Sequence, residues 1–312
     1  MIKLKLSLII SCYNEEKNID LFFKSCISTF GKSKDIEYVF VNDGSKDNTF
    51  TKITDLIKKY DELNIIGISF SRNFGKEAAM YAGLKKSTGK YCSFIDADLQ
   101  QNPKYVKEML NFIENHSEYD CITCYQAKRK EGFVLSTLKN CFYFLINKVT
   151  DIKFYKNASD FRLMNRKMAD AIISMEEYYR FSKGIFSFVG FNNYYMPYEV
   201  EERKNGKTSW SIVKLIKYAK GGILSFTVSP LKITTYIGSL TLLIDIIYII
   251  IMLLKNTISN YSIIIFLILF FSSLQMIFLG ILGEYLGRNY IQSMKRPIYI
   301  IKDEMSTNGR LS

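Results

Sequence analysis

Histidine and tryptophan are nearly missing from this sequence of 312 residues, which contains one of each. The histidine, His116, lies in a polar Glu-Asn-His-Ser-Glu segment that is typical of a surface turn. The composition therefore excludes every histidine-based catalytic scheme except one that uses His116. Among the six cysteines, Cys121-x-x-Cys124 would suit a redox or zinc site, but no second ligand pair lies near it. We interpret this pair as two buried thiols on a strand.

Charged residues are missing from two long apolar runs, with the single exception of Asp245. The runs cover Ile233 to Leu254 and Tyr261 to Gly283, and each exceeds the ~20 residues that an α-helix needs to cross a bilayer. They predict two membrane spans. Basic residues flank the runs, whereas the connecting loop from Lys255 to Asn260 carries one, so both termini and the large N-terminal domain are expected in the cytoplasm. We expect Asp245 at a helix-helix or oligomer contact.

The formal net charge of +12 is compatible with nucleic acid, anionic lipid or phosphate-bearing substrates. The predicted membrane spans favour the last two classes. We therefore predict a membrane protein without a nucleic-acid partner.

Short apolar runs alternate with amphipathic stretches in the first half of the chain. This pattern predicts an α/β domain with a mostly parallel sheet that helices cover on both faces. A fifth strand is predicted from Asp120 to Tyr125. The first four predicted strands are Leu4 to Ser11, Tyr38 to Val41, Ile65 to Phe70 and Tyr91 to Ile95.

Polar residues follow each of these four strands. Ligands of open α/β sheets bind beyond the carboxyl ends of the strands, so the four polar segments are predicted to line one pocket. Ordinary turn chemistry is the alternative for Asn42-Asp43-Gly44-Ser45. The segments are Tyr13 to Glu15, Asp43, Ser71 to Lys76 and Asp96 to Gln100.

The segment Asp96-Ala97-Asp98-Leu99-Gln100 supplies only oxygen ligands. In an extended chain, Asp96, Asp98 and Gln100 point to the same side. Carboxylate and amide oxygens suit Mg2+ or Mn2+, which also bind diphosphates. A pair of solvated loop acids is the alternative.

The order of these motifs resembles the inverting GT-A glycosyltransferases that use polyprenyl phosphate as acceptor. The bacterial undecaprenyl-phosphate glycosyltransferases and the dolichyl-phosphate mannose synthases are similar in pattern, and the resemblance covers nearly the whole chain. The matching segments are Ser7-Leu-Ile-Ile, Tyr13-Asn-Glu-Glu16, Val41-Asn-Asp-Gly-Ser45, Ser71-Arg-Asn-Phe-Gly-Lys-Glu-Ala-Ala79, Asp96-Ala-Asp-Leu-Gln100 and Asp160-Phe-Arg-Leu-Met164.

The resemblance implies a GT-A, Rossmann-like catalytic domain and a role for each motif. The nucleotide-sugar would be held by Tyr13, Asn14, Glu15, Asp43, Lys76, Asp96, Arg203 and Lys207. A Mg2+ or Mn2+ ion would be bound by Asp96, Asp98 and Gln100, and catalysis would depend on Asp160 and Asp98. The chain departs from the family pattern in having Ser11 for a proline, Gln101-Asn102-Pro103 for Asp-Pro-Pro, and Ser209-Trp210 for Lys-Tyr.

Acceptor residues are expected in the second half of the chain. The basic run Lys128-Arg129-Lys130 precedes an apolar helix from Leu135 to Val149, which suggests a loop that contacts the lipid; a solvated charge run is the alternative. Asp160 would orient the acceptor, although a salt bridge to Arg162 or another base is also compatible. Candidate ligands of the acceptor phosphate are Arg72, Arg129 and Arg162.

We therefore predict a glycosyltransferase that moves a sugar from a nucleotide donor to undecaprenyl phosphate at the bacterial plasma membrane. The alternatives are a processive polysaccharide synthase and a non-catalytic adaptor that binds a sugar nucleotide. The resemblance further implies a homo-oligomer, a tetramer by analogy. The predicted units are a cytoplasmic GT-A domain (1–208), interfacial amphipathic helices (209–230), a two-helix transmembrane hairpin (231–288) and a cytoplasmic tail (289–312).

Overall fold

A mixed β-sheet with helices on both faces forms the centre of the protein. The computed structural model describes residues 4–126, 155, 158–200 and 261–307. The strands are β1 (Leu6–Cys12), β2 (Ile36–Asn42), β3 (Asn64–Phe70), β4 (Tyr91–Asp96), β5 (Cys121–Gln126), β6 (Ala158–Asn165), β7 (Asn193–Tyr198) and β8 (Ile301–Ser306). The helices are α1 (Ile19–Phe30), α2 (Thr49–Lys59), α3 (Lys76–Lys86), α4 (Pro103–Asn115), α5 (Arg166–Ile173), α6 (Ser182–Phe188) and α7 (Tyr261–Ser293).

Strands β4, β1, β2 and β3 are neighbours in that order, and all three pairings are parallel. Alternate residues of β1 face opposite layers: Leu8 and Ile10 pack in one core with Phe22 and Phe23 of α1, whereas Ile9 belongs to another core cluster. Burial on both faces explains why these strands are continuous apolar runs. The predicted α/β class is confirmed, and the predicted parallel order holds for these four strands.

The sheet continues beyond β4 with a different strand order. Strand β6 pairs antiparallel with both β4 and β5, and β5 pairs parallel with β7. The fifth predicted strand agrees with β5 to within one residue at each end. Strands β6 and β7 were not predicted, because neither contains an apolar run.

The C-terminal part of the described chain returns to the sheet. Strand β8 follows the 33-residue helix α7 and pairs antiparallel with β3. The Tyr299 ring stacks on Phe70 with 5.0 Å between centroids, and Lys86 Nζ lies 2.5 Å from Glu304 Oε1. The segment predicted as a tail therefore contributes an edge strand to the sheet, which its charged sequence Ile-Lys-Asp-Glu-Met-Ser did not indicate.

The predicted membrane hairpin is only partly covered by the structure. The first predicted span and the interfacial segment lie outside the described residues, and the second span falls within α7. In the parts of the chain that the structure describes, no helix reaches the combined length and hydropathy of a membrane span. The hairpin stays a prediction.

Candidate active site at the carboxyl ends of the strands

The loops that follow β1 and β2 are joined by hydrogen bonds. The Asn14 amide N–H donates to Ser45 Oγ at 2.9 Å, and the Glu15 amide N–H donates to Thr49 Oγ1 at 2.8 Å. The Asn14 side-chain oxygen accepts from the Lys46 amide at 3.0 Å. These bonds hold the first two polar segments side by side, as predicted from the strand ends. Tyr13 follows β1 with 43% of its surface exposed, so its ring is accessible to a ligand.

Asp43 is buried at the end of β2 and bonds to the loop after β3. Its carboxylate accepts hydrogen bonds from the amides of Phe74 at 2.7 Å and Gly75 at 3.0 Å. Burial raises the pKa of Asp43 from 3.8 to about 6, although these amides and the Arg72 charge oppose the rise. Asp43 therefore changes its charge near neutral pH and fixes the shape of the third loop.

Gly44 allows the second and third loops to approach each other. Its φ is +61°, and a Cβ atom at this position would lie 2.3 Å from the carbonyl carbon of Arg72. Only glycine fits both the conformation and the space. The guanidinium of Arg72 covers the Phe74 ring at 4.1 Å and lies beside the Asp43 loop. The structure thus places Arg72 with the residues predicted for the nucleotide.

Asp96 ends β4 and is held from three sides. Its Oδ1 accepts from Ser11 Oγ at 3.0 Å, and its Oδ2 accepts from Gln101 Nε2 at 3.2 Å and from Lys76 Nζ at 2.7 Å. Ser11 and Gln101 are two positions where the sequence departs from the family pattern, and both contact the same carboxylate. The two departures therefore form one local arrangement around Asp96.

Lys76 contacts carboxylates on two neighbouring strands, that of Asp96 on β4 and that of Asp160 on β6. Its Nζ also lies 3.7 Å from Oδ2 of Asp160, which is on β6. Burial alone would lower the pKa of Lys76, but the carboxylates of Asp96 and Asp160 outweigh it and raise that pKa above its ordinary value. The lysine, 40% exposed, thereby neutralises part of the charge of two predicted site residues.

Asp160 is only 22% exposed, yet it is predominantly ionised. Burial favours its neutral form, but the positive charges of Lys76, Lys183 and Arg162 outweigh burial and lower its pKa. Its Oδ1 atom is buried and has no hydrogen-bond partner among the residues that the structure describes. A buried acceptor without a partner is uncommon in folded proteins and marks Asp160 as a candidate functional residue.

Asp98 and Gln100 lie in the turn after β4. The Gln100 amide donates to Asp98 Oδ1 at 3.2 Å, and Leu99 between them has a φ of +65°. No group of three histidine, cysteine or acidic side chains with metal-site geometry occurs within the described ranges. Carboxylate and amide oxygens are the donor type that a hard cation prefers, so the assignment of Asp96, Asp98 and Gln100 to a divalent ion stays a prediction.

Arg162 lies on β6, two residues beyond Asp160. Its side chain is 3% exposed, and its guanidinium covers the Phe186 ring of α6 at 3.6 Å. Arg162 therefore lies close to Asp160, whereas Arg72 lies in the loop after β3, and the assignment of both residues to the acceptor phosphate stays a prediction. Arg129, Arg203 and Lys207 lie outside the described residues, so their roles stay predictions.

Four residues near the site were not predicted to act there. In the sequence, Ser11 and Gln101 stand out only as departures from the family pattern. No sequence pattern distinguishes Lys183 or Phe186. Lys183 is a single lysine in an otherwise apolar segment, and its relation to Asp160 depends on tertiary packing. No local pattern could have identified it.

Comparison with known proteins agrees with the geometry. The profile of the family "Glycosyl transferase family 2" matches residues 7–173. CsbB of Bacillus subtilis strain 168, a protein named as a glycosyltransferase, is 40% identical over 98% of this chain and 94% of its own length. The "Prophage bactoprenol glucosyl transferase homolog" of Escherichia coli K12 is 38% identical over 96% of this chain and 99% of its own.

Among solved structures, the mannosyltransferase PcManGT from Pyrobaculum calidifontis, in complex with GDP-Man and Mn2+, is similar with a TM-score of 0.46. The identity is 15%, and the match covers 66% of this chain and 58% of that chain. The family match spans more than half of the 312 residues, and the two relatives extend along nearly the whole chain. The chain belongs to glycosyltransferase family 2.

Proposed function

We propose that this protein transfers a hexose from a UDP-sugar to undecaprenyl phosphate, with inversion at the anomeric carbon, on the cytoplasmic side of the bacterial plasma membrane. The observation that carries the proposal is the contact of Lys76 with both Asp96 and Asp160. It joins the predicted diphosphate site on β4 to the predicted acceptor site on β6. Two substrates whose reacting groups meet there would be aligned for direct displacement.

The nucleoside would be bound by the loops after β1 and β2. Asp43 is rigidly held by two backbone amides, and its ionised form can accept hydrogen bonds from a base or ribose. Tyr13, Asn14 and Glu15 line the same edge, where an exposed aromatic ring can stack on the base. The predicted loop residues Arg203 and Lys207 would contact the diphosphate.

A divalent cation, Mg2+ or Mn2+, would be held by Asp98 and Gln100 together with Asp96. When bound, such an ion neutralises charge on the departing diphosphate. The protein itself already contributes Lys76, whose ammonium lies at the edge of the same site. We therefore assign Lys76 to electrostatic stabilisation between the two anionic substrates.

Asp160 would orient the acceptor. A phosphate monoester has a second pKa near ~6 and is largely dianionic at neutral pH, so it needs alignment more than it needs a strong base. The ionised Asp160 carboxylate can accept a hydrogen bond from any remaining phosphate proton, and its lowered pKa keeps it ionised while it does so. The acceptor oxygen would then attack the anomeric carbon from the side opposite the nucleotide, which inverts its configuration.

Attachment to the membrane belongs to the same proposal. The sequence contains two charge-poor runs, and apolar side chains such as Ile264, Ile268 and Leu279 of α7 are 54%, 61% and 61% exposed. Lipid, or a second copy of the chain in a homo-oligomer, would cover this apolar surface. Either arrangement keeps the catalytic domain next to its lipid substrate.

The test uses the full-length protein purified in detergent. UDP-glucose, UDP-galactose, UDP-N-acetylglucosamine and GDP-mannose are supplied with undecaprenyl phosphate, and released nucleoside diphosphate is measured. We expect release only when the divalent cation and the lipid phosphate are both present, with one sugar added per lipid. Glucose is the first sugar to test, because a relative is named a bactoprenol glucosyl transferase homolog.

The metal assignment has a separate test. The double variant Asp98→Ala, Gln100→Ala should lose metal-dependent turnover, whereas Asn111→Ala on the exposed side of α4 should not. Acceptor-dependent turnover that survives the double substitution would show that the ion is held elsewhere.

A further inference from the structure

A buried cation with incomplete partners lies beside the proposed reaction centre. One terminal nitrogen of Arg162, Nη2, donates to the Ser159 carbonyl at 2.9 Å, but its Nε atom is buried without a partner among the described residues. No carboxylate lies within 4 Å of the guanidinium in this part of the chain. Burying an ionised group without a matched anion is costly, and burial indeed lowers the pKa of Arg162.

Arg162 lines a pocket that contains a second basic side chain. Strands β5, β6 and β7 form its floor, and α6 forms one wall, from which Lys183 enters. Its other polar lining comes from Thr123, Ser187 and Asn193. Two cations and several neutral hydrogen-bonding groups in one concave site are the composition of an anion-binding pocket.

Arg162 and Lys183 both act on the same carboxylate, that of Asp160, which is also bridged by Lys76. Lys76 is also acted on by Asp96 and Asp98, whereas Asp160 is the carboxylate that acts on Arg162 among the described residues. An additional anion would compensate Arg162 and Lys183.

We infer that the pocket between α6 and strands β5 to β7 binds the phosphate group of the lipid acceptor, and that Lys183 is a binding residue for it. A phosphate offers three strongly accepting oxygens, enough for Arg162 Nε, Lys183 Nζ and a hydroxyl. This inference rests on the proposed function for the identity of the lipid.

The position of the pocket favours the acceptor over the donor. The loops assigned to the nucleotide follow β1, β2 and β4, whereas the pocket is built on β5, β6 and β7 at the other end of the sheet order. Asp160 on β6 stands between the two groups of residues.

The first experiment measures binding without turnover. Full-length protein in detergent is titrated with undecaprenyl phosphate or with undecaprenol, which lacks the phosphate, in the absence of donor. We expect the wild type to prefer the phosphate, Lys183→Gln to lose about tenfold or more of that affinity, and Lys183→Arg to retain most of it. Lys167→Gln, which removes an exposed lysine on α5, is the matched control and should bind like the wild type.

Titration with UDP separates the two phosphate sources. Unchanged UDP affinity in Lys183→Gln supports the assignment. A loss of UDP affinity with intact lipid-phosphate binding would assign the pocket to the donor and overturn the inference. Equal affinities of Lys183→Gln and wild type for undecaprenyl phosphate would overturn it as well.

Kinetics distinguish failure of this inference from failure of the proposed function. Under the inference, Lys183→Gln raises KM for undecaprenyl phosphate and leaves KM for the donor unchanged. If the wild type transfers sugar and Lys183→Gln has an unaltered KM for undecaprenyl phosphate, the proposed phosphate pocket is wrong, whereas the proposed function stands. Phosphate-selective lipid binding that depends on Lys183, in a protein that transfers no sugar, would refute the function but keep the pocket.

Discussion

The proposed donor half of the candidate site (Asp43 and Asp96) and the proposed acceptor half (Asp160 and Arg162) differ in how their charged groups are satisfied. In the donor half, Asp43 accepts from two backbone amides, and Asp96 accepts from Ser11, Gln101 and Lys76. In the acceptor half, Oδ1 of Asp160 and Nε of Arg162 are buried without partners in the described residues. The first arrangement is organised without a ligand, whereas under our proposal a ligand would complete the second.

The same contrast appears in the sheet. The donor loops follow parallel strands, whose carboxyl ends necessarily lie along one edge. Asp160 lies in the first part of β6, which comes beside the carboxyl end of β4 because the two strands are antiparallel. Lys76 is the side chain that bridges the carboxylates of the two halves.

The largest effect is expected from Asp160→Asn, which removes the negative charge of the acceptor half. Turnover should fall by about 10²- to 10⁴-fold, the range of an acid-base or orienting group, while the affinity for the donor stays unchanged. Steady-state kinetics and donor titration measure the two quantities. The exposed Asp170→Asn is the control. A loss of donor affinity would move Asp160 to the donor half.

Lys76→Gln should reduce turnover by about 100-fold, because it removes the charge that the two halves share. It should also raise the pKa of Asp160, since Lys76 is the foremost of the charges that lower it. The acid limb of the pH–rate profile should therefore shift to higher pH. Lys85→Gln, on the same helix but farther along, should leave the profile unchanged. An unshifted limb would mean that the two halves are not electrostatically coupled.

The dependence of the unfolding free energy on pH tests the same interaction between Lys76 and Asp160. Because Lys76 lowers the pKa of folded Asp160, the ionised carboxylate stabilises the fold above its ordinary pKa, and this stability is lost as the pH falls through the lowered value. Denaturation between pH 3 and 7 should therefore show a smaller acid-induced loss in Lys76→Gln than in wild type.

Gly44→Ala tests the rigidity of the donor half. The new Cβ would collide with the Arg72 backbone at a φ of +61°, so the variant should lose about 2 to 4 kcal/mol of unfolding free energy. Gly31→Ala is a matched control, because Gly31 has a φ of +67° but no atom within 4 Å of the added carbon. It should lose about 1 to 3 kcal/mol from backbone strain alone, because its ψ of −163° lies in a region that glycine almost exclusively adopts, and Gly44→Ala should lose more. Equal losses would show that the two loops are not tightly apposed.

The smallest effect is the pH dependence of donor binding. If ionised Asp43 binds the nucleoside, the affinity for uridine, which has no titrating phosphate, should fall by about tenfold per pH unit below about 6, and Asp43→Asn should abolish this dependence. Stability changes in the opposite sense: since the folded pKa exceeds the unfolded value of 3.8, the stability contribution falls as the pH rises from about 4 to about 6. Titration calorimetry between pH 5 and 8 measures the affinity. An affinity that does not change with pH would show that ionised Asp43 does not bind the nucleoside.

Sequence patterns predicted the donor half far better than the acceptor half. Strands β1 to β4 are apolar because helices cover both faces, and polar residues mark the point where each strand ends. Strand β6 carries its functional residues within the strand, so Asp160 and Arg162 were recognisable only from the family motif. The contacts of Lys76 with Asp160 and of Ser11 with Asp96 join residues 84 and 85 positions apart. They depend on the strand order, which no local pattern contains.

Because β8 pairs with β3, the sheet cannot finish folding until the C-terminal segment has been synthesised. Ile301–Ser306 is translated after helix α7, so the edge of β3 and the face of Phe70 stay uncovered until the last part of the described chain has left the ribosome. A protein truncated before residue 261 would keep that edge permanently open and invite pairing between molecules. The N-terminal domain is therefore finished only by the segment that follows the predicted membrane anchor.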